Sequence, residues 1–226
     1  MDAPGLDEDL HAEALAGLRR INLASQSDLV FWPSVARLCE LPRRGPVRVL
    51  DVGCGGGDVA FGLARRAVKA GFDIQIDGCD NSDFAIDYAK SHSAHGAHEQ
   101  VRNVRFFRHD ILAGPIPDEY DVVMCSLFLH HFDEDDAVQI LGRMNDAARH
   151  LVLVQDLRRS WIGYWMAWLG CRLLSRSPVV HADGPLSVQG AFREDEVLAL
   201  AAQAKWPTPT LKRFWPERFL MTASVE

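Results

Sequence analysis

The chain has 226 residues, 48% of them hydrophobic and 24% charged. That fits one globular domain with decorations and excludes a disordered chain. Its 24 Lys and Arg against 31 Asp and Glu give a net charge of −7, so an electrostatic wrap around nucleic acid is not expected. The acidic surplus is local: four acids lie in residues 1–10 and seven between Asp118 and Asp136, with no Lys or Arg in either segment. The stretch Met1 to Asp9 has no apolar run behind a basic one, so it is not read as a leader and a cytoplasmic location is expected. Cys39, Cys54, Cys79, Cys125 and Cys171 are scattered, with no Cys-x-x-Cys spacing. They are expected to be small buried residues rather than disulfides or metal ligands.

Two helical patterns open the chain, with Leu10, Ala14, Leu18 and Ile21 on one face and Phe31, Val35 and Leu38 on a second. Residues 1–45 are therefore expected to form an N-terminal helical cap on a domain over 46–226. Pro42 to Pro46 breaks the pattern and a strand over Val47 to Val52 follows. A helix is expected from an Asp58 cap to Gly71, then a strand over Ile74 to Cys79 ending on Asp80. The pattern repeats with a Ser82-capped helix over Asp83 to Lys90 and a strand over Val104 to His109 ending on Asp110. A fourth strand, Tyr120 to Ser126, precedes a helix whose first turn, Asp133 to Asp136, complements the helix dipole. A fifth strand covers Leu151 to Gln155. Alternation of this kind predicts an α/β fold with a doubly wound, mostly parallel sheet, whose ligands sit at the carboxyl ends of the strands.

Beyond the fifth strand lie an apolar stretch from Trp161 to Leu174, a turn-rich loop over Ser175 to Gly190, and a helix from Glu194 to Ala204. Residues 160–190 are read as a lid-like insertion, and Arg193 stands where a capping Ser or Thr is expected. Thr208 to Phe214 and Glu217 to Ala223 close the chain as an antiparallel hairpin. Trp161, Trp165 and Trp168 share one helical face. That face suits core packing or a homodimer contact, a lid over an acceptor, or a weak contact with a membrane surface, the last helped by Arg158, Arg159 and Arg172. Fourteen residues are too few to cross a bilayer, which takes about 20. His92, His95 and His98 form a spaced run, but Gly96 and the lack of a carboxylate or thiolate partner predict a solvated loop and no metal site.

The turn Asp51-Val52-Gly53-Cys54-Gly55-Gly56-Gly57-Asp58 joins strand to helix. Glycines there let a ligand touch backbone while the helix start supplies unpaired N–H groups. The glycines alone also fit a dinucleotide fingerprint. Acids at three successive strand ends (Asp51, Asp80, Asp110) around this turn resemble the class I S-adenosylmethionine-dependent methyltransferases, a Rossmann-like family, over residues 47–156. The terminal hairpin suits that family's last two strands. The resemblance implies S-adenosylmethionine as cofactor, with Asp51 and Gly53 by its methionine part, Gly55 and Gly57 shaping the turn, Asp80 on the ribose, and Asp110 with Ile111 flanking adenine.

Met124-Cys125-Ser126-Leu127-Phe128-Leu129-His130-His131-Phe132 is similar to the fourth-strand motif of quinone-methylase-like, small-molecule methyltransferases, which places Ser126 at the cofactor. No Asn-Pro-Pro-Tyr stretch for exocyclic amines occupies this place, and no basic, aromatic-interleaved track is present. A small aromatic or lipophilic acceptor, methylated on oxygen, is expected. Such an acceptor loses a proton, and a histidine near pKa ~6.5 suits the task. His131 is the first candidate base and His130 the second; Asp156, at the end of the fifth strand, either orients a hydroxyl or histidine or caps the next segment. His181 and Asp183 are candidates for the acceptor pocket. Two other readings stay open, a cofactor-binding regulatory protein without turnover and an RNA methyltransferase.

Overall fold

Strands apolar on both faces demand a layer of helices on each side. The computed structural model, which describes residues 27–42, 44–94 and 103–225, has that arrangement. In chain order the elements are α1 (Ser27–Cys39), β1 (Val47–Val52), α2 (Asp58–Ala70), β2 (Ile74–Asp80), α3 (Asp83–Ala94), β3 (Val104–Arg108) and β4 (Tyr120–Ser126). A 3-10 turn (Leu129–His131) leads to α4 (Glu134–Ala147), β5 (Ala148–Leu157), α5 (Trp161–Leu174), α6 (Pro178–Gly190), α7 (Glu194–Gln203), β6 (Thr210–Phe214) and β7 (Arg218–Ser224). The sheet order is β3-β2-β1-β4-β5-β7-β6. β1 to β5 are parallel, and β7 runs antiparallel between β5 and β6. The expected α/β fold and its antiparallel hairpin are both present.

Alternation along each strand divides the core in two. Val49 of β1 and Val122 and Met124 of β4 face α1, α2 and α3. Leu50 and Val52 of β1 and Val123 and Cys125 of β4 face α4 and α7. Phe31, Val35 and Leu38 of α1 belong to the first of these clusters, so α1 packs on the same core as α2 and α3. The pattern around Leu10, Ala14, Leu18 and Ile21 lies outside the described residues, as do His95 and His98 of the histidine run.

Several local expectations are corrected. α2 begins behind Gly57 in a left-handed conformation (φ 79°) without a side-chain cap, so Asp58 is its first residue rather than its cap. β5 is longer than expected at 10 residues: Ala148 pairs with Tyr120 of β4 at its start, and β7 pairs along it from Leu151 to Leu157. The expected loop over Ser175 to Gly190 is largely the helix α6. Pro178 sits in its first turn, where the missing N–H costs nothing, and Val180 and Val188 are buried. Gly184 is also required there by packing, since a Cβ on it would lie 2.2 Å from Cys171 Sγ of α5. At α7 the Arg193 backbone N–H donates to Glu196 Oε2 at 2.8 Å, so Glu196 completes from inside the helix what a capping Ser would have started.

Candidate active site

The carboxyl ends of β1, β2, β4 and β5 meet at one edge of the sheet, and the chain turns there in ways its residues dictate. Gly53, Gly55 and Gly57 have φ of 66°, 49° and 79°, all left-handed, a region other residues enter only at a cost. A Cβ on Gly53 would stand 2.2 Å from the Phe128 ring. Asp80 holds the turn: its Oδ2 accepts the Gly55 N–H at 2.9 Å and its Oδ1 the Ser82 N–H at 3.0 Å. Asp51 is 1% exposed, and its Oδ2 has no hydrogen-bond partner among the described residues. Burial, with the charges of Asp80 and Asp58 adding, pushes its carboxyl up to about 8.

A cavity of about 710 Å³ opens over this edge, within the usual range for small-molecule sites. Asp51, Gly53, Gly55, Asp80, Ser126, Phe128, His130 and His131 line it. Ser126 Oγ donates to Gln155 Oε1 at 3.0 Å. An acid with an unmet acceptor, lining the cavity beside the glycine turn and Asp80, fits a ligand carrying both a cation and ribose hydroxyls, as S-adenosylmethionine does. Asp110 and Ile111 stand apart from this lining. Asp110 is exposed and accepts the Leu112 N–H at 2.9 Å, while Ile111 is 4% exposed within the core.

His130, which lines the cavity, has its Nδ1 2.6 Å from Asp156 Oδ1, with side chains only 4% and 2% exposed. Asp156 also accepts the backbone N–H groups of His130 at 3.1 Å and Leu157 at 2.6 Å. Burial alone would raise its carboxyl; the His130 ring and the two N–H groups outweigh that and hold it below the ordinary carboxylate value. Asp156 thus holds the histidine instead of capping the next segment. A carboxylate on Nδ1 fixes the ring with its proton there, leaving Nε2 as the basic nitrogen. His131 is exposed, its ring 4.1 Å from that of His130.

The wall opposite the sheet comes from α5 and α6. Ser160 caps α5, accepting the Gly163 N–H at 2.9 Å and donating to Glu217 Oε2 at 2.7 Å. Gly163, Met166, Ala167, Gly170 and Cys171 face the cavity. The opposite face is bare: Trp161, Trp165 and Trp168 are 74%, 53% and 38% exposed, so these tryptophans are not core residues. From α6, Asp183 and Val188 line the cavity, whereas His181 Nε2 lies 2.8 Å from the Ser175 carbonyl oxygen and takes no part in it. Sequence reasoning missed Phe128 and the contribution of Trp215 to Arg218. The first was signalled by its place after β4, and the second carried no signal.

Residues 49–150 match the family model described as a methyltransferase domain. The chain is similar to the ubiquinone biosynthesis O-methyltransferase of Alkalilimnicola ehrlichii, with 33% identity over 128 residues that cover 56% of this chain and 48% of that protein. It is 24% identical over 182 residues to the protein of the same name from Psychrobacter arcticus, covering 74% of this chain and 65% of that one. The chain therefore spans about half the length of the first relative and under two thirds of the second. Among solved structures, the magnesium protoporphyrin IX methyltransferase of Synechocystis PCC 6803 with bound S-adenosylhomocysteine superposes with a TM-score of 0.61 at 14% identity, over 90% of this chain and 84% of that one. Human N-acetylserotonin methyltransferase in complex with S-adenosylmethionine gives 0.68 at 16% identity, over 96% and 56%. No helix among the described residues is long and apolar enough to cross a membrane. The sheet order, the antiparallel last strands and the glycine turn are those of the class I, S-adenosylmethionine-dependent methyltransferase fold, and residues 49–150 match a methyltransferase domain found also in the ubiquinone biosynthesis O-methyltransferases.

Proposed function

We propose that the protein methylates an oxygen of a small aromatic or lipophilic acceptor, with S-adenosylmethionine as donor and His130 as general base. The observation that carries this is the buried His130–Asp156 pair, whose histidine lines the same cavity as the glycine turn. The cofactor supplies an activated methyl group on a sulfonium, so the protein's share is alignment and proton removal. Asp51, Gly53, Gly55, Asp80 and Ser126 are the residues that would hold it, with Gly57 shaping the turn behind them. Asp110 and Ile111 are left out because neither lines the cavity. His130 Nε2 accepts the hydroxyl proton, and Asp156 stabilises the resulting imidazolium without taking the proton itself. His130 is preferred to His131 because Asp156 orients it.

The outward face of α5 is read as a contact with an anionic bilayer surface, from which a lipophilic acceptor would enter. Supporting this, Trp161, Ile162, Trp165, Trp168 and Leu169 are exposed together, Arg172 lies 4.1 Å over the Trp168 ring, and no Asp or Glu occurs between Trp161 and Ala182. Trp with Arg on a helix free of acids matches the chemistry of the headgroup layer.

The test is methyl transfer to a panel of catechols, phenols and quinols. H130Q is expected to lower kcat by about 10²–10⁴-fold with S-adenosylhomocysteine affinity unchanged. Turnover equal to wild type would remove His130 from the mechanism. Cofactor binding with no transfer to any panel member would favour a binding protein without turnover.

A further inference from the structure

Arg218 opens β7, opposite Leu157 of β5 and Phe214 of β6. It is 3% exposed yet lines the cavity, and among the described residues it is the only Lys or Arg that does so. Its Nη1 donates to Ser27 Oγ at 2.7 Å, while its Nε is buried and has no hydrogen-bond partner among the described residues. Among the described residues, the carboxylates that adjoin it along the chain and on the neighbouring strand are engaged elsewhere. Glu217, next in the chain, accepts from Arg158 Nη1 at 3.1 Å and from Ser160 Oγ at 2.7 Å. Asp156, whose charge also acts on Arg218, is tied to His130 and two backbone N–H groups. Burial lowers the Arg218 guanidinium to about 10, so it keeps its charge at neutral pH. A guanidinium has five N–H donors in a planar fork that matches a carboxylate. Buried cations are ordinarily paired, because an unpaired one is expensive.

We infer that Arg218 is the carboxylate-binding residue of the cavity, its anion coming from an acidic acceptor or from the amino-acid end of the cofactor. Both sources rest on the methyl-transfer reading. The acids lining the cavity repel an anion, and Arg218 gives it one place to bind. This restricts an acidic acceptor to orientations with its carboxylate at β7, which fixes which hydroxyl faces His130.

Two ligand pairs separate the sources. Affinity for S-adenosylhomocysteine against its decarboxylated analogue, which keeps the amino group and lacks only the carboxylate, reads the cofactor. Affinity of the S-adenosylhomocysteine complex for 3,4-dihydroxybenzoate against catechol reads the acceptor. In wild type at least one pair is expected to favour the carboxylate tenfold or more. R218M should abolish that preference while leaving the carboxylate-free member unchanged, and R218K should restore part of it. A wild type with no preference in either pair overturns the inference without any variant, as does a preference that survives in R218M. Failure of wild type to bind S-adenosylhomocysteine would instead sink the methyl-transfer reading, and the inference with it.

Discussion

Asp51 is the residue whose physics departs furthest from its solution behaviour. Below about pH 4 it is protonated in both folded and unfolded chains and has no effect on stability. As pH rises the unfolded chain loses the proton, while the folded chain keeps it up to about 8. The folded state is therefore progressively destabilised across that window, and the loss is constant above it. In the ligand-free protein, D51N is expected to raise Tm more at pH 8 than at pH 5; an equal gain at both would show that Asp51 ionises normally. A cationic amino group placed against the unmet Oδ2 would drive the proton off. Binding of S-adenosylhomocysteine at pH 7 should then release close to one proton, read by calorimetry in buffers of different ionisation enthalpy, and D51N should release none. Asp51 and Asp80 were legible because each ends an apolar run that reads as a strand. Arg218 was not: its burial depends on contact with Ser27, 191 residues away, and a charged residue in a terminal strand ordinarily faces water.

At the scale of elements, sequence reading succeeded where periodicity and capping agree. The start of α4 is an example, since Asp133 accepts the Asp136 N–H at 3.0 Å as the acid cluster suggested. It failed at α6, where Gly184 and Pro185 read as breakers although Gly184 is demanded by contact with α5. A glycine needed for close approach and a glycine needed for a turn look alike in a single sequence. α5 has an apolar face on each side, one toward the cavity and one toward solvent, so pattern alone left its partner open. If the outer face meets lipid, the wild type will co-sediment with phosphatidylglycerol vesicles. Replacing Trp161 and Trp165 by Ser should abolish this and leave methylation of a water-soluble acceptor intact. Equal sedimentation of both proteins would end the bilayer reading, and a dimer in wild type that dissociates in the variant would replace it with a subunit contact.

Over the whole molecule, the cavity draws residues from β1, β2, β4, β5 and β7, so a ligand there couples to the folding of five of the seven strands. S-adenosylhomocysteine at 100 times its Kd is expected to add about 2.7 kcal/mol to the unfolding free energy. The gain should appear as one cooperative shift in Tm, and a shift confined to one phase of a two-phase melt would contradict a single folding unit.

The position of β7 also governs how the protein comes into being. β5 gains its outer neighbour only when Arg218–Ser224 is made, about 60 residues after Leu157, or roughly 3–12 s at 5–20 residues per second on the ribosome. During that interval β5, which carries Asp156, has an unpaired edge. The bare tryptophans of α5 emerge in the same interval. The nascent chain therefore passes through a stage in which its stickiest helix and an open strand are presented together, with no ligand site yet assembled to hold them closed.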